Sequence, residues 1–112
     1  MAIDFNGRMI ASTKTGYLEN RDDWSDDLAR HMAKLENLEL TDRHWDVLKY
    51  LRGEFFGNNE HQPNTRTIVK AMSEQWGRPV DQRELYELFP GDPSKQAGRI
   101  AGLPESRRKG GY

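Results

Sequence analysis

A mainly α domain of about five helices, fronted by a small N-terminal β-hairpin and followed by a C-terminal arm, is the fold class this sequence predicts. Three observations carry that expectation. Apolar residues recur at three- and four-residue intervals from Leu28 onward, capping and stop residues punctuate that stretch, and strand-like alternation is confined to the first residues. The 112 residues contain no long linker, so residues 1–104 read as one domain and 105–112 as an arm.

The elements follow in order. Ile3 and Phe5 flank Asp4, Asn6-Gly7 suits a two-residue turn with positive φ, and Met9-Ile10 begin the return strand. Ser12 to Gly16 is turn-like, and Tyr17-Leu18 adds a short extended piece. A lone hairpin is marginal in water, so Trp24 is expected to clamp it to the first helix. Ser25 caps that helix, Asp26 and Asp27 sit at its positive end, and Leu28, Met32 and Leu35 form its stripe. Thr41 caps a second helix from Asp42 to about Phe56, with Trp45, Leu48, Leu51 or Arg52, and Phe55 on its core face. Thr65 opens a third, with Ile68, Val69, Met72 and Trp76 apolar and Gly77 closing it. Asp81-x-x-Glu84 is a capping box for a short fourth helix bearing Leu85, Tyr86, Leu88 and Phe89; with the third it makes a helix-turn-helix-like pair.

The fifth helix begins at Asp92, a good cap, with Pro93 at the first helical position, where its missing N–H costs nothing. Gly102 takes the left-handed backbone that ends it, and Pro104 prevents a restart. Beyond, Glu105-Ser-Arg-Arg-Lys-Gly-Gly-Tyr112 has no apolar residue before its last position, so nothing in it anchors to a core and mobility is expected.

Here the chain resembles a known family. Leu85-Tyr86, Leu88-Phe89-Pro90-Gly91, Pro93, Lys95-Gln96-Ala97 and Ile100-Ala101-Gly102-Leu103-Pro104 resemble the C-terminal signature of the DsrC/TusE sulfur-relay proteins. Gly16-Tyr17-Leu18 with Trp24, Leu40 with His44-Trp45, and Val69-Lys70-Ala71-Met72 match upstream, so the resemblance covers nearly the whole chain. That family includes the gamma subunit of dissimilatory sulfite reductase and the TusE protein of tRNA 2-thiouridine synthesis. The resemblance implies a helical domain with a projecting arm, protein partners of the sulfur-transfer or sulfite-reductase type, and a cysteine next to the last residue as persulfide carrier. Some members carry a second cysteine in the helix before Ile-Ala-Gly-Leu-Pro. Here those positions hold Gly111, or Lys109 if the alignment runs ungapped from Pro104, and Gly98.

The chain has no cysteine at all. A persulfide carrier needs a thiolate, and the thioethers of Met1, Met9, Met32 and Met72 have no ionisable S–H to replace it. The resemblance therefore implies inherited shape and docking without the family's sulfur chemistry. Disulfides and thiolate metal sites are excluded on the same count.

A formal net charge of −1 and a pI near 6.3 argue against a strongly basic nucleic-acid binder. The charge is polarised along the chain: Met1 to Glu60 has 8 basic against 12 acidic residues, His61 to Tyr112 has 9 against 6. No apolar run approaches the roughly 20 residues of a membrane span and no signal core follows Met1, which predicts a cytoplasmic protein.

Other chemistry finds little support. His31, His44 and His61 lie in different segments with no helical metal spacing, so no metal and no cofactor are assigned. Ser12, Ser25, Ser73, Ser94 and Ser106 read as turn, cap or exposed positions, and none sits in a nucleophile elbow. Asp22-Asp23 and Asp26-Asp27 lack calcium-loop spacing and are explained by a helix N-terminus. No constellation of nucleophile, base and oxyanion donors supports catalysis by this chain alone. Arg107-Arg108-Lys109, with Lys95 and Arg99, is the most suggestive charge run. Arg99, Arg107, Arg108, Lys109 and Tyr112 are the expected partner contacts. The alternative is a DNA-binding transcriptional regulator using Arg66, Lys70, Arg78 and Arg83. Against it, Asp81 and Glu84 stand at the start of the helix that would have to enter the major groove.

Overall fold

In the computed structural model, which describes residues 1–105, the hairpin forms where alternation and Asn6-Gly7 predict it. Strand β1 (Ala2–Phe5) pairs antiparallel with β2 (Arg8–Ala11), Ile3 opposite Ile10. Asn6 and Gly7 take φ of 54° and 83°, the pair of left-handed residues such a turn requires. A bridge between Ser12 and Leu18 adds the expected short extended piece. The hairpin is not free-standing: Ile10 and Leu18, with Ile3 and Phe5, pack on Leu28, Met32 and Trp24.

Helix α1 (Asp26–Leu35) starts where Ser25 Oγ accepts the Leu28 N–H at 3.1 Å. Its stripe differs from expectation. Leu28 and Met32 are buried under the hairpin, but Leu35 is 62% exposed, and Ala29 and Ala33 supply the contact with the main core. The helix ends at Leu35, and Asn37 turns the chain at φ 61° just beyond it. The small alanines let the backbone of α1 come close to its neighbours, where a leucine would hold it off.

Helix α2 (Asp42–Gly57) is central, packing against both α3 (Thr65–Trp76) and α5 (Pro93–Ile100). Val47, Leu48, Leu51 and Phe55 are buried and Trp45 is half-buried. Asn64 caps α3 and Gly77 closes it at φ 67°, while Ile68 and Met72 form its core face. Helix α4 (Gln82–Leu88) packs on α3 as the helix-turn-helix-like pair. Asp81 accepts the Glu84 N–H at 3.0 Å, but the Glu84 carboxylate does not reach back to complete the capping box. It takes Arg78 at 2.6 and 2.9 Å and Arg43 at 2.7 Å instead, and these guanidinium groups, Arg78 first, hold its pKa down at about 2. Leu85, Leu88 and Phe89 are buried; Tyr86 is 44% exposed, because a helix of seven residues presents only one face to the core.

His44 binds two helices together and is no ligand. Its Nδ1 accepts the Thr41 N–H at 3.0 Å, and its Nε2 lies 2.8 Å from the Leu88 carbonyl, to which it donates as the neutral tautomer. Burial lowers its pKa, which favours that neutral form. Among the described residues no group of three His, Cys, Asp or Glu side chains comes together to hold a metal, and no helix is long and apolar enough to cross a membrane.

Candidate docking site

The C-terminal helix is held on three sides. Asp92, at φ 87°, caps it through its carboxylate, which accepts the Ser94 N–H at 3.2 Å, and Pro93 occupies the first turn as predicted. Ser94 is buried, contrary to its reading as an exposed or cap serine: its Oγ donates to the Pro63 carbonyl at 3.0 Å and ties α5 to the loop before α3. At the other end the Leu103 N–H bonds the Gly98 carbonyl and the Gly102 N–H bonds the Arg99 carbonyl, the double closure of a helix whose next residue is left-handed. Gly102 has φ 76°, and a Cβ built on it would lie 2.3 Å from the Trp24 ring. Only glycine satisfies both conditions.

Trp24 is the expected clamp, but it reaches further than the hairpin. Its Nε1–H donates to the Ile100 carbonyl at 2.9 Å, joining residues 76 apart in sequence. Arg52 lies 3.8 Å over the same ring and donates to the Ala101 carbonyl at 2.7 Å. Its pKa is lowered by burial, with Asp26 opposing the shift. Gln62 Nε2 donates to the Pro104 carbonyl, and Thr15 Oγ1 to the Glu105 carboxylate, both at 2.8 Å.

Arg99 stands on the opposite face of α5, its side chain 21% exposed. Its guanidinium meets Glu36 through Nε at 2.9 Å and Nη2 at 2.5 Å and lies 5.6 Å from the Tyr17 ring centre. Gln96 donates to the same carboxylate at 2.9 Å, and hydrogen bonding to Glu36 raises the Arg99 pKa. Tyr17 is itself raised by burial, against the lowering effect of Arg99. Arg99 thus couples α5 to the end of α1 and presents only an edge to solvent.

Gly98 is buried in α5, yet a Cβ there would meet nothing within 4 Å. The space is a small cavity lined in part by Tyr17, Leu51, Pro63 and Leu103. A methyl group fits at that position without repacking.

Arg107, Arg108, Lys109, Gly111 and Tyr112 lie outside the described residues, as does the arm apart from Glu105. Of the cations named for DNA reading, Arg66, Lys70 and Arg83 are exposed, while Arg78 is engaged by Glu84. Sequence reasoning named Arg52 only as a candidate for the core face of α2, and it missed the bond from Arg52 to Ala101, the bonds of Gln62 and Thr15, and the Arg99–Glu36 pair. All are long-range bonds between polar side chains and chain segments that no local pattern announces.

Comparison with known proteins agrees with this geometry. The family model described as DsrC like protein matches residues 4–108. The sulfurtransferase TusE of Yersinia pestis is 42% identical over 104 residues, covering 92% of this chain and 94% of that protein. The TusE homologue of Haemophilus influenzae is 41% identical over the same length, with 92% and 94% covered. The solution structure of Allochromatium vinosum DsrC superposes with a TM-score of 0.84 at 39% identity, covering 96% of both chains. The oxidised gamma subunit of dissimilatory sulfite reductase from Archaeoglobus fulgidus superposes with the same score at 27% identity, covering 96% of this chain and 98% of that one. Helix order, the N-terminal hairpin and the glycine-closed last helix stand as the residues predict, and the chain belongs to the DsrC-like family.

Proposed function

We propose that this protein serves a sulfur-relay pathway as a docking or regulatory member, engaging a partner of the sulfur-transfer or sulfite-reductase type without carrying sulfur itself. Its relatives named as sulfurtransferases support the pathway, whether tRNA 2-thiolation or dissimilatory sulfur metabolism. The observation that carries the rest is the contrast inside the last helix. The residues that seat and terminate it are present and bonded, while neither Gly98 nor any other residue supplies a thiol. Without a thiolate there is no nucleophile to accept sulfane sulfur and no leaving group to pass it on.

Arg99, Arg107, Arg108, Lys109 and Tyr112 are the contacts this reading assigns to the partner, Arg99 through the edge of its guanidinium left open beside Glu36. Such a protein occupies a partner's docking surface and competes with a cysteine-bearing relative for it. Incubation with a low-molecular-weight persulfide donor followed by intact-mass measurement tests the chemical half: no sulfur atom is gained, and a stable gain overturns the reading. Capture of a partner by the full chain but not by a chain ending at Pro104 tests the docking half. For DNA binding, the acidic start of α4 and the Arg78–Glu84 pair remain unfavourable, since both turn negative or neutralised groups toward phosphate.

A further inference from the structure

Four side chains from four separate parts of the chain converge on the last described residues. Trp24, preceding α1, donates to the Ile100 carbonyl; Arg52, in α2, to the Ala101 carbonyl; Gln62, in the loop before α3, to the Pro104 carbonyl. Thr15, in the turn after the hairpin, donates to the Glu105 carboxylate. The first two bonds coincide with the helix terminus, where carbonyls lack intrahelical partners and any donor is welcome. The last two do not. Pro104 and Glu105 are exposed, and water would satisfy both acceptors equally well. Bonds of this kind add little to folding and much to direction, because each fixes one point of the chain against a different segment of the domain.

We infer that Trp24, Arg52, Gln62 and Thr15 form a clasp that sets the direction in which the chain leaves the domain, and that Gln62 and Thr15 are positioning residues for docking. This rests on the proposed docking reading. A partner groove that must receive the segment after Glu105 gains affinity when the entry angle is fixed in advance, since the ordering cost is then met in the free protein. Arg52 is suited to the inner part of the clasp. Its planar guanidinium lies 3.8 Å from the Trp24 ring centre and 4.8 Å from that of Phe56, so the two rings help align it toward Ala101.

The absence of native cysteine makes the test direct. Spin labels at Glu74→Cys, on the exposed side of α3, and at Ser106→Cys, next after the clasp, report exit direction as a distance distribution by double electron–electron resonance. In the Thr15→Ala/Gln62→Ala background the distribution is expected to broaden by about twofold or to shift its centre, with the thermal midpoint little changed. An unchanged distribution overturns the clasp. The probe for docking is a dissimilatory sulfite reductase core stripped of its own gamma subunit, titrated with parent, Thr15→Ala/Gln62→Ala, and the chain ending at Pro104. The double variant is expected to bind about fivefold to tenfold more weakly than parent, while the same two substitutions have no effect in the shortened chain. If shortening abolishes binding and the double variant matches parent, the clasp fails and the docking reading stands. If the parent does not bind this core, or shortening changes nothing, docking on it fails and the label distances decide the clasp alone.

Discussion

Gly98 and Gly102 stand about one helical turn apart in the same helix end, both buried, and they are opposites. Gly102 is left-handed and pressed against the Trp24 ring; Gly98 is helical with empty space beside it. One glycine is demanded by the fold, the other is only permitted by it. The difference separates what a scaffold must keep from what it can lose. The helix terminus at Gly102 is fixed by geometry, whereas position 98 accepts a glycine and has room for a methyl group as well.

Substitution is the sharpest way to break that contrast. Gly102→Ala should be the most damaging, costing about 3 kcal/mol or more from left-handed strain and the collision with Trp24, and is read by chemical denaturation. If steric conflict is the main part, Trp24→Ala in the same chain should make the second substitution much cheaper, a coupling visible in a double-mutant cycle. Trp24→Phe keeps the ring and removes the N–H. It should cost about 1.5 kcal/mol through the orphaned Ile100 carbonyl, leaving Gly102 as intolerant as before. Gly98→Ala should act in the opposite direction, stabilising by about 0.5–1 kcal/mol, because the cavity accepts a methyl group and alanine loses less backbone entropy in a helix. A loss there would erase the distinction between the two glycines.

The smallest effect appears only as a dependence on pH, and it provides a control far from both glycines. His44 has a folded pKa below its ordinary 6.5 because burial disfavours the cation. Its contribution is therefore fully present above about pH 6.5 and is lost as the pH falls toward the folded value, where protonation of the unfolded chain pulls the equilibrium over. The thermal midpoint should decline across that window, and the decline should shrink in His44→Gln.

How much of this could be read in the sequence depended on whether the cause was local. Caps at Ser25, Asp81 and Asp92, the Asn6-Gly7 turn and the stops at Gly77 and Gly102 were all legible, because each is set by φ preferences and hydrogen bonds within a few residues. Leu35 was misjudged because periodicity says which residues share a face, not how far along the helix a neighbour extends. Glu84 satisfied the pattern of a capping box, yet two arginines from elsewhere outcompeted the backbone for its carboxylate. At the candidate site, Arg99 was visible as a cation but not as the partner of Glu36, a residue 63 positions away. Arg52 was visible as a candidate for the core face of α2 but not as the partner of Ala101, and Gln62 and Thr15 gave no signal, since a polar side chain in a loop looks alike wherever it stands.

The bond from the Trp24 indole to the Ile100 carbonyl also bears on how the molecule is made. It closes a loop of 76 residues, so a growing chain cannot complete it until nearly all of the domain has emerged. Until then the indole, the hairpin it covers and the underside of α1 lack their last neighbour. A chain released early, within α5, would leave that surface uncovered, whereas one released after Pro104 would already possess the Ile100 carbonyl that the indole binds and the Gly102 backbone that packs on it.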